Sequence, residues 1–193
     1  FTVDTTVAVT PTAATVVSLP SEVMQTWLSD PMGNNCVHAF AATAFKALMY
    51  YGQFGSADAA LALPVQDIDN PACDVEYIVS CYQGSGEFIV FAVEDSTSVT
   101  ITPTENLTDG HLAGTPFTII LNRGEGYYAS PGPVGGFDNL IGTTITSAKS
   151  IGLTNGNGLT NIPAGYCCTD HIFEVAQPVH TWGLKVLAAN LPM

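Results

Sequence analysis

The sequence predicts an all-β protein: two successive antiparallel β-sandwich-like units related by an internal repeat, the first lacking its leading hairpin. Three observations carry this. Charged residues make up only 11% of the chain while 47% is hydrophobic, and Thr, Ser, Gly, Asn and Pro fill the polar positions, a balance suited to short strands joined by turns. Runs of alternating β-branched residues recur along the chain, bounded by turn-forming residues. Finally, the chain resembles itself. "VHAFAATAFKALMYYG" (37–52) aligns with "LIGTTITSAKSIGLTN" (140–155), placing Lys46 on Lys149. "SADAALALPVQDI" aligns with "CTDHIFEVAQPVHTW", placing Asp58 on Asp170 and, across a two-residue gap, Pro64 on Pro178. The repeat divides the chain into units at 1–83 and 84–193.

The elements follow in order. "FTVDTTVAVT" and "ATVVSL", split by "PT", predict a hairpin. The run from Cys36 is ambiguous, because Val37, Phe40, Ala41, Ala44, Leu48 and Tyr51 have the spacing of one helical face. Its repeat partner holds "GTTIT" and "SIGLTNGN", β-branched and Gly-broken, so strands are expected in both copies. "SADAALAL" and "VEYIVSC" complete the first unit. In the second, "EFIVFAVEDSTSVTITPT" predicts a hairpin turning at Glu94 to Ser96, and "GTPFTIILNRGEGYYAS" another turning near Arg123 and Gly124. Two short strands around "SAK", then "HIFEVAQPV" and "WGLKVLAANL", finish the chain.

Composition excludes two classes of partner. Lys46, Arg123, Lys149 and Lys185 stand against seventeen carboxylates, and a net charge of −13 repels both nucleic acid and an anionic membrane surface. No apolar run approaches the roughly 18 residues that span a bilayer, so membrane insertion is not expected. The chain opens at Phe1 without Met and already reads as a strand, so it is expected to be processed or a fragment. Cys36, Cys73, Cys81, Cys167 and Cys168 form no CxxC pair. In an exported chain one or two disulfides are expected. Cys73 and Cys81 flank "VEYIVSC" as a local pair, and Cys36 is a candidate partner for Cys167 or Cys168, which are not expected to bridge each other.

These segments together resemble the N-terminal domain of the IgGFc-binding protein family. The most specific are "EDSTSVTITPT", "LNRGEGY", "GTTITSAKSIG" and "DHIFEVAQPVHTWG", and the resemblance runs from about Phe1 to Leu187. It implies an extracellular β-rich module of long mosaic proteins, secreted or at the cell surface, without catalytic residues or cofactors. Two departures stand out: the strand region that normally precedes such domains is missing, and the cysteines around "VEYIVSC" and before Thr169 are additional.

Several functional readings follow. The leading one is a non-enzymatic module for adhesion, or for building an extracellular structure, that meets a protein or glycoprotein surface. Trp27, Tyr51, Tyr128 and Trp182 are the candidate recognition aromatics, because aromatics dominate binding hot spots. A second reading makes the chain a self-assembling filament subunit: the missing hairpin leaves an edge that "WGLKVLAANLPM" of a neighbouring copy would complete. A third, from another class, is a cysteine-dependent hydrolase using Cys36 as nucleophile and His171 as base. Cys167, Cys168, Asp170 and His171 have metal-ligating side chains but no recognised metal spacing, and Asp67, Asp69, Asp74 and Glu76 lack the spacing of a calcium loop, so no metal is assigned. Asn106 in "NLT" is an N-glycosylation sequon. Asp58 and Asp170 are expected to cap turns by accepting backbone N–H groups.

Overall fold

The computed structural model describes residues 5–10, 12–19, 32–34, 36–53, 56–64, 74–82, 84–132, 139–162, 165 and 167–185. It is all-β, with no α-helix among these residues. The described residues form eleven strands: β1 (Met32–Gly33), β2 (Leu48–Gln53), β3 (Ser56–Leu61), β4 (Val75–Ile78), β5 (Gly86–Ala92), β6 (Thr97–Thr102), β7 (Phe117–Leu121), β8 (Gly126–Ala129), β9 (Thr144–Ser147), β10 (Ile151–Thr160) and β11 (Asp170–Val175). A 3-10 turn at Val179–Thr181 follows.

Two antiparallel sheets enclose one core. A five-stranded sheet runs β1-β8-β5-β10-β11 and a four-stranded sheet runs β4-β9-β6-β7, while β2 and β3 form a separate hairpin. Alternation decides what is buried. Along β5, Phe88, Val90 and Ala92 point inward while Glu87, Ile89 and Phe91 lie half-buried on the other face. Across the sandwich they meet Tyr77 of β4, Val99 and Ile101 of β6, Leu121 of β7, and Ile145 of β9. Each such side chain contributes roughly 1.5–3 kcal/mol by leaving water. The buried Tyr77 hydroxyl donates to Ile151 O at 3.0 Å, tying one sheet to the other. Strands on both sides of the boundary expected at 83/84 share these sheets, since β1 pairs with β8 and β4 with β9.

The predicted turns form where expected, but the strands they join do not pair with each other. β5 lies in the five-stranded sheet and β6 in the four-stranded one; β7 to β8 and β9 to β10 cross in the same way. All three connections are arches between sheets rather than hairpins. The three turns are knitted together. Arg123 N–H donates to Asp95 Oδ1 at 3.0 Å, Ser96 N–H to Asn122 Oδ1 at 3.2 Å, and Lys149 Nζ to Asp95 O at 2.6 Å. An arch and a hairpin have the same sequence pattern of alternation, turn, alternation, so the turn residues fix where the chain reverses and not which strand becomes its neighbour.

Two other expectations are corrected. In place of an N-terminal hairpin, residues 5–10 and 12–19 form an exposed turn with one isolated bridge, Thr10 to Ala13. Too few of its valines find apolar cover there to hold a ladder: Val9 and Val16 are 61% and 86% exposed. The run from Cys36 is not helical, but only its end is strand: 36–47 are irregular and β2 begins at Leu48.

Candidate recognition surface along β11

β10 shapes this region. Its sequence "IGLTNGNGLT" buries Ile151, Leu153, Asn155 and Asn157 and places Gly152, Thr154, Gly156 and Gly158 on the other face. The two asparagines act as substitute backbone. Asn155 Nδ2 donates to Ser80 O at 2.7 Å, and its Oδ1 accepts from Ser80 N–H at 3.4 Å. Asn157 Nδ2 donates to Tyr82 O at 2.9 Å and to Gly84 O, while its Oδ1 accepts from Tyr82 N–H at 2.7 Å. The segment after β4 is thereby held by side-chain amides where no strand lies beside it. At Gly156 a Cβ would stand 1.9 Å from Ile172 O, a backbone atom, so only glycine lets β11 approach this closely.

β11 is the last strand of the five-stranded sheet, and its outer edge is closed by side-chain oxygens of β3. His171 N–H donates to Ser56 Oγ at 3.1 Å and Phe173 N–H to Asp58 Oδ2 at 2.8 Å. In return Ala57 N–H donates to Asp170 Oδ1 at 3.2 Å, and the Ser56 hydroxyl bonds the same carboxylate. Asp58 and Asp170, expected to cap turns, instead accept backbone N–H groups across a strand-to-strand joint. The Ser56 hydroxyl and the amides of His171 and Ala57 hold the Asp170 carboxyl below its ordinary range.

Around this joint an aromatic cluster forms about His171, which with Tyr128 meets one carboxylate. The rings of Tyr51 and His171 lie 5.0 Å apart and those of His171 and Phe173 5.7 Å apart. His171 Nε2 stands 3.6 Å from Glu87 Oε1, and the Tyr128 hydroxyl donates to Glu87 Oε2 at 2.7 Å. Burial and the Glu87 charge push the Tyr128 hydroxyl pKa upward, so it stays a donor. His171 Nδ1 is buried with no hydrogen-bond partner among the described residues. On the other side of β11 a cleft of about 440 Å³ opens against the 80–82 segment, with Asn155 and Asn157 in its floor, Tyr82 and Ile172 in its walls, and Asp58 and Glu174 beside them.

Of the residues singled out by sequence, Tyr51, Tyr128 and His171 meet here. Trp182 lies apart, half-exposed behind the 3-10 turn, its Nε1–H donating to Gln177 O at 3.0 Å. Cys36 is not brought to His171. Its Sγ lies by Gly126, which pairs with Phe91, four positions along β5 from the Glu87 that meets His171. Burial pushes the Cys36 thiol up to about 11, and Cys81 likewise. Cys36, Cys81, Cys167 and Cys168 are free thiols, the last two exposed. Trp27, Cys73, Asp67 and Asp69 lie outside the described residues. Asn106 is exposed in the β6–β7 loop, where its Oδ1 accepts from Ala113 N–H at 2.9 Å. No group of three or more His, Cys, Asp or Glu that could hold a metal occurs among the described residues. No helix among them is long and apolar enough to cross a membrane.

Sequence reasoning missed Glu87, Phe173 and the two asparagines. Alternation along "EFIVF" places Glu87 on the outer face, but its meeting with Tyr128 depends on β5 pairing with β8, which the turn pattern does not reveal. Polar side chains at the buried phase of β10 were the visible signal for Asn155 and Asn157.

An arched antiparallel sandwich with an aromatic cluster along one strand margin places the chain among all-β sandwich domains. A sequence model described as IgGFc binding protein matches residues 58–190, more than half of the chain, and the protein belongs to that family. The match begins inside β3, well after Phe1 where the resemblance was expected to start. No curated protein and no solved structure matches the chain.

Proposed function

We propose that this chain is an extracellular, non-enzymatic binding module, secreted or displayed at a cell surface, that engages a protein or glycoprotein through the β11 margin. The observation that carries the reading is the aromatic cluster in which Tyr51 and Phe173 lie against His171, while His171 and Tyr128 meet at Glu87. These half-buried rings present apolar faces, with polar tips on the two tyrosines and His171, as aromatic interface anchors do. Membership of a family described by immunoglobulin Fc binding supports a protein partner. Separation of Cys36 from His171, and a thiol kept protonated by burial, weigh against the hydrolase reading. In a eukaryotic secretory pathway Asn106, exposed in its loop, is an acceptor for an N-glycan.

The test is surface plasmon resonance of the immobilised chain against a panel of secreted glycoproteins that includes immunoglobulin Fc. Binding that is weakened by Tyr51→Ala supports the reading; binding of nothing, or binding indifferent to Tyr51, removes it.

A second reading, assembly by exchange of strands between copies, draws support from the β3–β11 joint. Because side-chain oxygens make that joint rather than a continuous backbone ladder, the hairpin of a neighbouring copy offers the same contacts. Sedimentation across a concentration range decides: a single species of 20.2 kDa excludes it, and open-ended growth supports it.

A further inference from the structure

We infer that the cleft beside β11 receives the cationic side chain, arginine or lysine, of a basic segment on the partner protein. This deepens the proposed binding function and rests on it. A cleft of about 440 Å³ lies within the usual range of side-chain and small-ligand pockets. Its walls suit a long aliphatic stem with a charged head: Tyr82 and Ile172, the latter on the same face as Asn157, offer π and apolar surface, while Asp58 and Glu174 supply negative charge.

None of that charge is neutralised from within. Arg123 is engaged with His38 and Lys149 with Asp95 O, and neither they nor Lys46 or Lys185 line the cleft. Asp58 spends its acceptors on the amides of Ala59 and Phe173, which leave its full charge in place, and Glu174 makes no ion pair with any described residue. The polar floor does not compete for the ligand, because Asn155 and Asn157 are committed to the backbone of residues 80, 82 and 84. The Cys81 thiol at the cleft stays protonated and adds no charge. At long range the net charge of −13 attracts a basic partner and orients its approach.

The probe is the peptide acetyl-Gly-Arg-Gly-amide, compared with its norleucine counterpart, titrated into the full isotope-labelled chain and followed by NMR. Saturable shifts of the Tyr82, Gly156 and Phe173 amides with arginine but not norleucine are expected. Glu174→Lys, an exposed substitution, is expected to weaken the arginine peptide at least about tenfold, whereas Glu94→Lys, equal in charge but in the β5–β6 turn, leaves it unchanged. Equal shifts with norleucine, no shifts, or equal losses in both variants overturn the inference. If a protein partner still binds in a Tyr51-dependent manner while excess arginine peptide fails to displace it, the cleft assignment fails and the module's binding function stands.

Discussion

Asn157 shows how much of this fold hangs on single side chains. Its amide is fully buried and satisfies both backbone groups of Tyr82, so removing it strands a donor and an acceptor away from water. Asn157→Leu is expected to lower unfolding stability by about 2–4 kcal/mol in urea denaturation, although leucine is the more apolar residue. The role was only half legible. That Asn155 and Asn157 occupy buried strand positions follows from alternation, but their partners lie 75 positions upstream. The cysteines allow a second prediction at this scale. With their thiols pushed up to about 11 by burial, Cys36 and Cys81 should alkylate with iodoacetamide at pH 8 far more slowly than the exposed Cys167 and Cys168. Peptide mapping after brief labelling gives the order directly.

Among the elements, the β2–β3 hairpin is fastened to the sheet edge it covers by side-chain oxygens that bond backbone amides. Asp170 has its carboxyl below the ordinary value of 3.8, chiefly through the Ser56 hydroxyl, and this fixes the direction of its pH dependence. A lowered folded-state pKa adds stability that is complete above the unfolded value and is lost as pH falls through the folded one. Hydrogen exchange at the Ala57 and His171 amides should therefore accelerate as pH drops below 3.8, after correction for intrinsic rates, while the β5 amides stay protected. Asp170→Ala should produce the same loosening at neutral pH. Unchanged Ala57 protection in that variant would mean that the hairpin is held by its ring contacts instead. Element positions were largely legible in the second half of the chain, where β5 to β11 fall on the expected runs. Their partnerships were not, because hairpin and arch share one local pattern and are separated only by which faces find a core. In the first half, alanine-rich filling gave a helical spacing with no helix, and the exposed valines before residue 20 lacked the burial that alternation implies.

For the whole molecule, all-β class, family and acidic surface were readable from composition and motif, whereas the recognition surface was not, since it gathers residues from β2, β5, β8 and β11. The arches also govern when the protein acquires its shape. β9 is the strand between β4 and β6, and β10 the strand between β5 and β11, so both sheets lack a central member until residue 160 has been made. A chain ending at Leu140 should consequently remain protease-sensitive throughout, and refolding of the full chain in stopped-flow should fall in the slow range of roughly milliseconds to seconds that non-local β pairings impose. Late closure keeps the nascent polypeptide an open string: until β9 and β10 have been synthesised, the two sheets lack the members that lock their neighbours together.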